Sequence, residues 1–431
     1  QLLLGQGSTL SLQLQVTRTD GDGDTVVASD TVLLANHITS AFSFDDDAPV
    51  ASDYTGANFA EGSGAHNIGS ATTVLGVSAG EDGLQGTLQG IVFTNQGVTG
   101  GTLAIDGSGN LIYTSPGTVT SGAAVTETFL YTVTDKDGDA ITRTVTFGVT
   151  DTGVTIGAAP TNLLADEDNL AAGVGNTTSP GDDAQVLSGA ISYTLGQDAI
   201  GSITLSTAGN ATGLQTLGGQ DVVTTFSNGT LIGYISGTNP LLAANQVFTI
   251  ALGTLGASST GYTMTLLQPV KHASAGTEDN TTPFTVNVVV ADADGSTANT
   301  SFTVSIDDDM PITTNDGLLE TLSENSSGVT IGTTATLLGD DKYGADGAAT
   351  TGSLVIGTGD RGGTVTIDVN GNLVYTNTSW NVVQGETVTE TFIYTIKDGD
   401  GDTAEATFTV NLTDTGVTIG AAPTNLLADE D

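Results

Sequence analysis

The sequence contains no cysteine, which excludes disulfide bonds and thiolate zinc sites. Basic residues are nearly as scarce: seven Lys and Arg stand against 49 Asp and Glu, a formal net charge of −42 at pH 7. Nucleic acid is excluded as a ligand, because affinity for phosphate backbones comes mainly from Lys and Arg. Direct membrane insertion is not expected, since no run of about 18 apolar residues occurs. A chain this acidic needs counter-ions, and divalent cations are the natural candidates.

Helical periodicity is missing too. Val, Ile and Leu recur in short alternating runs, Gly accounts for 59 of the 431 residues, and aromatic residues make up only 5%. This composition favours many short strands joined by tight turns, and no convincing helix interrupts them. The length suits roughly three or four domains rather than one. The sequence therefore predicts an all-β chain of several small β-sandwich domains.

Internal repetition divides the chain into modules. The segment DTGVTIGAAPTNLLADED occurs at residues 151–168 and again, unchanged, at residues 414–431. The acidic triplet of DDDAPV, which starts at Asp45, recurs in DDDMPI, which starts at Asp307. Identity over a segment this long indicates duplication, and the alternation of the two signatures indicates two kinds of module.

The repeats predict five parts. Residues 1–47 are the C-terminal part of a β-sandwich module, 48–150 a first short module, 151–309 a complete long module, and 310–413 a second short module. Residues 414–431 begin a further long module, so we expect the sequence to be an excerpt of a longer chain.

Each module ends in two alternating strands joined by an acidic, Gly-containing turn, the pattern of a β-hairpin. In the first short module these strands are predicted at residues 129–134 and 141–149. Two further strands, at residues 101–105 and 110–114, flank the turn Asp106-Gly107-Ser108-Gly109. Together they bring the strand count to that of a small sandwich.

Four acidic turns share the pattern Asp-x-Asp-Gly. Their carboxylates are Asp20, Asp22 and Asp24; Asp135, Asp137 and Asp139; Asp292 and Asp294; and Asp398, Asp400 and Asp402. Adjacent carboxylates repel one another, and Ca²⁺ relieves the repulsion because it accepts about six to eight oxygen ligands in flexible geometry. The Gly lets the backbone fold around an ion. Because Ser296 replaces the third Asp of one turn, we expect a weaker site there.

The turns match no established calcium loop. An EF-hand needs Gly at its sixth position and Glu at its twelfth, where these turns have Thr or Ala and Thr, respectively. The glycine-rich nonapeptide of calcium β-rolls is absent as well. The alternative is that Asp and Gly stand there only because they favour hairpin turns. Recurrence beside acidic linkers, with few Lys or Arg for pairing, favours metal binding.

Strand direction predicts that the ions lie at module junctions. If the last strand of a module runs toward the next module, the turn before it faces the preceding acidic linker. On this hypothesis residues 135–139 approach 45–47, and residues 398–402 approach 307–309. Asp292 and Asp294 would approach Asp151 and the segment 166–168. An ion shared across a junction would lock two modules together.

The predicted calcium ligands outside the turns come from the linkers and from three glutamates. The linker residues are Asp45, Asp46, Asp47, Asp151, Asp307, Asp308, Asp309 and Asp414. Glu61, Glu167 and Glu324 are included because each stands near a predicted module entrance.

No catalytic constellation is recognisable, and the chain is not expected to be an enzyme. His37, His66 and His272 do not share a metal-ligand spacing such as HExxH, so no zinc site is expected, and His272 is interpreted as a structural residue at a strand end. No serine stands in a GxSxG motif. A glycosidase pair of carboxylates explains the repeated Asp-rich turns less well than a repeated structural role. Trp380, the only tryptophan, is interpreted as a loop anchor rather than a sugar-stacking residue.

The chain resembles the large repeat adhesins of the RTX class that type I secretion exports. Its short module is similar to a VCBS or bacterial cadherin-like repeat through GTLAIDGSGNLIYT, at residues 101–114, and TETFLYTVTDKDGD, at residues 126–139. The long module is similar to the companion type I secretion repeat through VFTIALGTLGASSTGYTMTLLQPVKH and FTVNVVVADADGSTANTSFTVSIDDD.

The resemblance implies tandem immunoglobulin-like, cadherin-like β-sandwich domains arranged end to end, with Ca²⁺ at their junctions. Such domains extend terminal binding domains away from the bacterial cell surface, for surface attachment and biofilm formation. The expected partners are calcium ions and neighbouring repeats of the same chain. Two other functions stay open: a carbohydrate- or protein-binding module that recognises surface glycans, and a subunit of an extracellular matrix fibre that contacts other chains.

Overall fold

The computed structural model describes residues 9–36, 47–94, 96–122, 124–174, 185–273, 280–417 and 420. Strands dominate these residues, which confirms the all-β prediction. The chain forms two compact units, one of residues 1–152 and the other of residues 153–431. Every helix among the described residues is a single turn, far too short to span the apolar core of a bilayer.

The N-terminal hairpin consists of β1 (Thr9–Thr19) and β2 (Thr25–Asn36), which pair antiparallel around the turn at residues 20–24. Alternation places Leu12 and Leu14 on one face, yet 59% and 60% of their surfaces are exposed. Among the described residues this hairpin therefore has no second sheet to bury its apolar face.

The first short module is a two-sheet sandwich. Its strands are β3 (Tyr54–Ala60), β4 (Ala65–Ser70), β5 (Ile91–Phe93), β6 (Thr102–Ile105), β7 (Asn110–Thr114), β8 (Val125–Thr134) and β9 (Ala140–Thr150). One sheet has the order β3-β9-β8-β5 and the other β4-β7-β6. Phe129 and Tyr131 of β8 and Phe147 of β9 fill the space between them because alternate residues of a strand share a face.

The long module is built in the same way with a larger second sheet. Its strands are β10 (Thr155–Ile156), β11 (Leu163–Asp166), β12 (Ser188–Thr194), β13 (Ile200–Ser206), β14 (Ala211–Gln215), β15 (Asp221–Ser227), β16 (Thr230–Ile235), β17 (Gln246–Leu252), β18 (Ser259–Leu266), β19 (Phe284–Asp292) and β20 (Thr297–Asp307). The sheet orders are β11-β20-β19-β13 and β10-β12-β18-β17-β16-β15-β14. Its core includes Phe248, Tyr262 and Phe302.

The second short module repeats the first. Its strands are β21 (Leu318–Ser323), β22 (Ser327–Thr333), β23 (Leu354–Ile356), β24 (Thr364–Ile367), β25 (Asn372–Thr376), β26 (Thr387–Lys397) and β27 (Thr403–Thr413). The sheets are β21-β27-β26-β23 and β22-β25-β24. Phe392, Tyr394 and Phe408 are fully buried between them.

The expectation that no helix interrupts the strands was wrong in a small way. Single helical turns occur at α1 (Ala71–Val74) and α2 (Thr334–Leu337). Short 3₁₀ turns lie at Thr87–Gly90, Glu167–Asn169, Ala208–Asn210 and Ala243–Asn245. A segment of four residues is too short to show helical periodicity, and α2 is fixed locally by a capping box between Thr333 and Thr336.

In all three modules the first strand of the four-stranded sheet runs parallel to the last strand of the module. The pairs are β3 with β9, β11 with β20, and β21 with β27. Asp53, Asn162 and Asn315 fix this pairing by accepting the backbone N–H of Thr144, Thr303 and Thr407. The residues that end the first and last strands therefore lie at one pole of the sandwich, and the acidic turn before the last strand lies at the other.

Candidate calcium sites

The four acidic turns share one backbone geometry. In each, the first Asp donates its N–H to the carbonyl of the fifth residue, at 3.0–3.1 Å. One oxygen of that Asp, Oδ1, accepts the N–H of the fifth residue at 2.7–2.9 Å. The fourth residue is Gly23, Gly138, Gly295 or Gly401, with φ between +100° and +126°. Since other residues rarely adopt this φ, the glycine is required by the turn itself.

The second carboxylate oxygen of the first Asp is what distinguishes a binding site from a turn. In Asp135, Asp292 and Asp398, Oδ2 is buried and has no hydrogen-bond partner within the protein. A buried carboxylate oxygen without a partner is strongly unfavourable unless a cation or a proton neutralises it. One oxygen of each Asp thus builds the turn, and the other is available to an ion.

The turns at Asp106 and Asp368 provide an internal contrast. Oδ1 of Asp106 accepts two backbone N–H groups, and Oδ2 accepts the side-chain amide of Asn110 at 3.1 Å. Asp368 makes the equivalent bonds to Asn370 and Asn372. Because both oxygens are satisfied by protein donors, these Asp residues need no ion, and the conformational explanation of Asp-Gly turns is sufficient for them.

A dense group of buried acids lies where the long module meets the second short module, within the unit of residues 153–431. We call it the junction cluster; it comprises Glu167, His272, Asp308, Asp309, Asp346, Asp398, Asp400 and Asp402. The structure brings the turn at residues 398–402 beside Asp308: the carboxylates of Asp402 and Asp400 both interact with that of Asp308. Glu167, Asp308, Asp309, Asp398 and Asp402 are at most 1% exposed.

Direct hydrogen bonds cross this junction. The carboxylate of Asp309 accepts the N–H of Val174, from the long module, and of Ala345, from the second short module, at 3.1 and 2.5 Å. The N–H of His272 donates to Oδ2 of Asp400 at 3.1 Å. The two modules are therefore joined through carboxylates that are also candidate metal ligands.

Burial strongly disfavours charge on these carboxylates when no cation is bound. It raises the pKa of Asp308 to about 11, helped by the adjacent Asp402 and Asp400. The pKa of Asp346 rises to about 10 through burial and the charge of Glu167, and that of Asp398 to about 7 through burial. Burial also raises the pKa of Glu167, although His272 opposes this shift. The cluster is thus unfavourable as a set of ionised acids alone.

The donor set fits calcium. Besides its single imidazole, the junction cluster offers only carboxylate oxygens, the ligands that Ca²⁺ prefers over nitrogen or sulfur. Oxygens without a hydrogen-bond partner remain buried on five of its acids: Glu167, Asp308, Asp346, Asp398 and Asp400. With seven carboxylates, the cluster has enough ligands for more than one ion.

The three glutamates were predicted near module entrances, and this was wrong. Each directly follows the first strand of the four-stranded sheet, which runs parallel to the last strand of the module. The glutamates therefore lie at the pole where the last strand ends, which we call the exit pole. There Glu61 accepts the N–H of Val119 at 2.6 Å, Glu167 that of Val270 at 2.8 Å, and Glu324 that of Val382 at 2.6 Å. The other oxygen of Glu61 and of Glu324 accepts Thr152 and Thr415, respectively. The sequence did not reveal this position, because each glutamate is close to the module start in the chain but follows a strand that runs the full length of the sandwich.

The prediction that Asp292 and Asp294 face residues 166–168 was also wrong. Asp166 pairs with Asp307 at the far end of β20, ten residues from the turn that precedes this strand. Asp292 and Asp294 instead cluster with Asp198, which precedes β13, so that their carboxylate oxygens lie within 4.8 Å of one another. Asp198 supplies the third carboxylate that Ser296 does not, and burial raises the pKa of Asp292.

In the first short module Asp135, Asp137 and Asp139 place their carboxylate oxygens within 4.8 Å of one another. Oδ2 of Asp47 accepts the N–H of Glu81 at 2.9 Å. Asp45 and Asp46, which were predicted to complete this site, lie outside the described residues.

The remaining predicted ligands lie at the ends of the described segments. Asp20, Asp22 and Asp24 form a compact but fully exposed trio. Asp151 and Asp414 are half-buried at the ends of β9 and β27, and Asp414 lies beside Glu324. Asp307 is buried at the end of β20.

Sequence reasoning missed Asp346 as a ligand and treated His272 as merely structural. Asp346 lies in the segment Gly344-Ala-Asp-Gly347, which corresponds to Gly80-Glu-Asp-Gly83 in the first short module. The repeated Gly-x-Asp-Gly pattern was the signal that could have identified it. His272 carries no motif of its own, and only the fold brings its Nε2 to 3.4 Å from Glu167 and 3.8 Å from Asp308.

The other residues singled out in the sequence are explained by packing. His66 stacks on Phe59 with ring centroids 4.2 Å apart. Trp380 packs against the core of the second short module, with the Arg361 guanidinium 5.0 Å from its ring. His37 lies outside the described residues.

Comparisons with known proteins agree with this architecture. Residues 46–148 and 307–411 match the family model described as "Bacterial Ig domain", and residues 162–305 match "Domain of unknown function (DUF5801)". No curated protein matches the chain. The chain is thus a repeat protein of immunoglobulin-like β-sandwich modules in tandem.

Solved structures that are similar include three sets of cadherin domains. The protocadherin GammaB4 extracellular domain is 16% identical, with 94% of this chain and 55% of that chain covered and a TM-score of 0.32. Mouse cadherin-23 EC22-24 is 13% identical, with coverage of 86% and 100% and a TM-score of 0.31. Drosophila N-cadherin EC1-4 is 12% identical, with coverage of 96% and 85% and a TM-score of 0.24. The chain spans about half the length of the protocadherin.

Proposed function

We propose that this chain is a calcium-rigidified extender segment of a secreted bacterial surface protein of the RTX adhesin type. Its modules hold terminal binding domains away from the cell for surface attachment and biofilm formation. Export by type I secretion follows from the motif resemblance described above. The proposal assigns the segment no chemical reaction.

The observation that carries the proposal is the junction cluster. Its carboxylates come from both modules, all but that of Asp400 belong to buried residues, and several have an oxygen without a protein partner. An ion bound there would be coordinated by the long module, the linker and the second short module at once. Each module could rotate about the linker only by breaking metal–oxygen bonds, so the ion would convert a hinge into a rigid joint.

The charge of the chain supports the same role. With a net charge of −42 and no disulfides, the protein has few other means of holding its modules together outside a cell. Millimolar calcium in an extracellular medium would supply both neutralisation and cross-linking. Binding that is specific to the folded state also stabilises it, by about 2.7 kcal/mol per site when calcium is a hundredfold above its dissociation constant.

The test is calcium titration of the complete 431-residue chain by calorimetry, with thermal unfolding followed in parallel. After chelation and dialysis, we expect several calcium ions to bind with micromolar to submillimolar dissociation constants. The unfolding temperature should then rise steeply with calcium but little with an equal ionic strength of NaCl. No heat of binding and an unchanged unfolding temperature would refute a calcium-dependent role.

Two further measurements separate the other candidate functions. A carbohydrate- or protein-binding module predicts binding of a glycan or protein ligand to the chain whether or not its shape depends on calcium. A matrix-fibre subunit predicts concentration-dependent assembly of chains in sedimentation experiments. The buried cluster within a single chain supports the extender role over both.

A further inference from the structure

The junction cluster contains one feature that calcium binding does not explain, the imidazole of His272. The side chain is completely buried, and Nε2 lies 3.4 Å from Oε1 of Glu167 and 3.8 Å from Oδ1 of Asp308. Ligand atoms of these three residues all lie within 4.8 Å of one another. Calcium prefers oxygen ligands, so a site built only for calcium has no use for this nitrogen.

We propose that Glu167, His272 and Asp308 form a separate site for a borderline transition-metal ion, with Zn²⁺ as its probe. Nε2 of His272 lies within hydrogen-bond distance of Oε1 of Glu167, so the tautomer protonated at Nε2 would donate to that carboxylate. In the other tautomer the lone pair of Nε2 faces two carboxylates, and a cation between them would remove the repulsion. Zn²⁺ binds one imidazole and two carboxylates readily, at about 2.0–2.2 Å. In a tetrahedral site such ligands lie about 3.3 Å apart, close to the 3.4 and 3.8 Å observed.

Two buried oxygens provide an independent indication of a ligand. Oε2 of Glu167 and Oδ2 of Asp308 have no hydrogen-bond partner, although the two residues are 0% and 1% exposed. The other two exit-pole glutamates differ, since Glu61 and Glu324 each have protein donors on both oxygens. In the long module, Oε2 of Glu167 therefore has no protein donor, whereas both oxygens of the corresponding glutamates in the short modules do.

The site extends the proposed function rather than replacing it. Calcium would occupy the side of the cluster formed by the acidic turn and Asp346, and the transition metal would occupy the side formed by the long module. Asp308 could belong to both sites, since its carboxylate interacts with Asp402 and Asp400 of the acidic turn and also groups with Glu167 and His272.

The test is Zn²⁺ titration of the complete chain in saturating Ca²⁺, followed by titration with Co²⁺. We expect one Zn²⁺ per chain that survives millimolar calcium, and a visible Co²⁺ absorption band typical of a four-coordinate site. His272→Gln should weaken Zn²⁺ binding at least about a hundredfold while the calcium-induced rise in unfolding temperature persists. His272→Cys should retain tight Zn²⁺ binding, because a thiolate can replace the imidazole as a ligand.

Asp294→Asn is the matched control, since Asp294 lies at the opposite pole of the long module. It should leave the Zn²⁺ affinity unchanged within about threefold. A His272→Gln chain that folds and binds Zn²⁺ as tightly as the unmodified chain would overturn the site. That outcome would leave the calcium proposal intact. A chain that binds Zn²⁺ but does not respond to Ca²⁺ would instead refute the calcium proposal and leave the Zn²⁺ site intact.

Discussion

At the scale of single residues, two kinds of buried carboxylate occur in these modules. Glu127 and Glu390 belong to the first kind. Glu127 accepts Thr99, Gly101 and the hydroxyl of Tyr113, and Glu390 accepts Gly363 and the hydroxyl of Tyr375. Such a carboxylate stabilises the fold by organising its own donors. Asp346 represents the second kind: neither of its oxygens has a partner in the protein.

Replacing Asp346 with Asn should have opposite effects with and without calcium. In chelator the substitution removes an unpaired buried acid, so we expect the free energy of unfolding to rise by about 1–3 kcal/mol. In calcium the same substitution removes a charged ligand, and the affinity should fall on the order of tenfold. Thermal unfolding and calcium titration of the variant measure both effects.

Asp368→Asn is the matched control because Asp368 accepts hydrogen bonds on both oxygens. It should destabilise the chain slightly and to the same extent in either condition, and it should not change the calcium affinity. If Asp346→Asn destabilised the chain equally in calcium and in chelator, Asp346 would be a structural residue rather than a ligand.

The sequence identified most of the acids of the junction cluster but not their surroundings. The turn at residues 398–402 and the triplet at residues 307–309 are visible as motifs, because their carboxylates are adjacent in the chain. Asp346 and His272 are not, since each is an isolated residue that joins the site only through tertiary packing. Asp198 was missed for the same reason.

At the scale of structural elements, the terminal hairpin of each module is the unit that builds a site. Its strands could be predicted because alternation and the turn residues agree, and β8 and β9 lie where expected to within a few residues. The parallel pairing of the first strand could not be predicted, because two strands about 90 residues apart carry no local sequence pattern that shows they pair. That pairing determines which pole each glutamate occupies, so the error about Glu61 and Glu324 followed from it.

The glycine of the acidic turn offers a prediction at this scale. Gly138 has a φ of +109° and open space around the position of a Cβ, so Gly138→Ala introduces backbone strain without a clash. We expect a loss of about 1 kcal/mol in stability and weaker calcium binding, because the turn positions its three carboxylates. Calorimetric unfolding and calcium titration would report the two effects.

Gly107→Ala is the control, in the turn that follows β6. Gly107 also has open space, and its φ lies outside the left-handed region. The substitution should be neutral or stabilising by about 0.4–1 kcal/mol. Equal losses from both substitutions would mean that the acidic turn has no special geometry.

At the scale of the whole molecule, the acid content makes stability depend on pH in a direction that calcium should reverse. Asp308, Asp346 and Asp398 have folded-state pKa values of about 11, 10 and 7, all above the ordinary 3.8. At these three groups the folded chain therefore binds more protons than the unfolded chain above pH 4. Their contribution to stability is complete below that pH and is lost as the pH rises.

In chelator we expect the free energy of unfolding to fall by at most about 1.4 kcal/mol per pH unit for each such group as the pH is raised from 5 to 8, together with the unfolding temperature. In saturating calcium it should instead rise, because protons compete with the ion for the same oxygens. The Asp346→Asn chain should show a weaker dependence in chelator. If the unfolding temperature rose with pH in chelator as well as in calcium, the buried acids could not have the raised pKa values described above.

The measurement that tests the central claim most directly is the distance between two spin labels across the junction. The absence of native cysteine allows clean labelling of Thr204→Cys, in the long module, and Val369→Cys, in the second short module; both side chains are exposed. Pulsed electron paramagnetic resonance on the full chain would then give the distribution of label distances. If calcium makes the joint rigid, the distribution of label distances should be narrow in millimolar calcium and should broaden markedly after chelation. The same narrow distribution in both conditions, or the same broad one, would contradict a calcium-dependent joint.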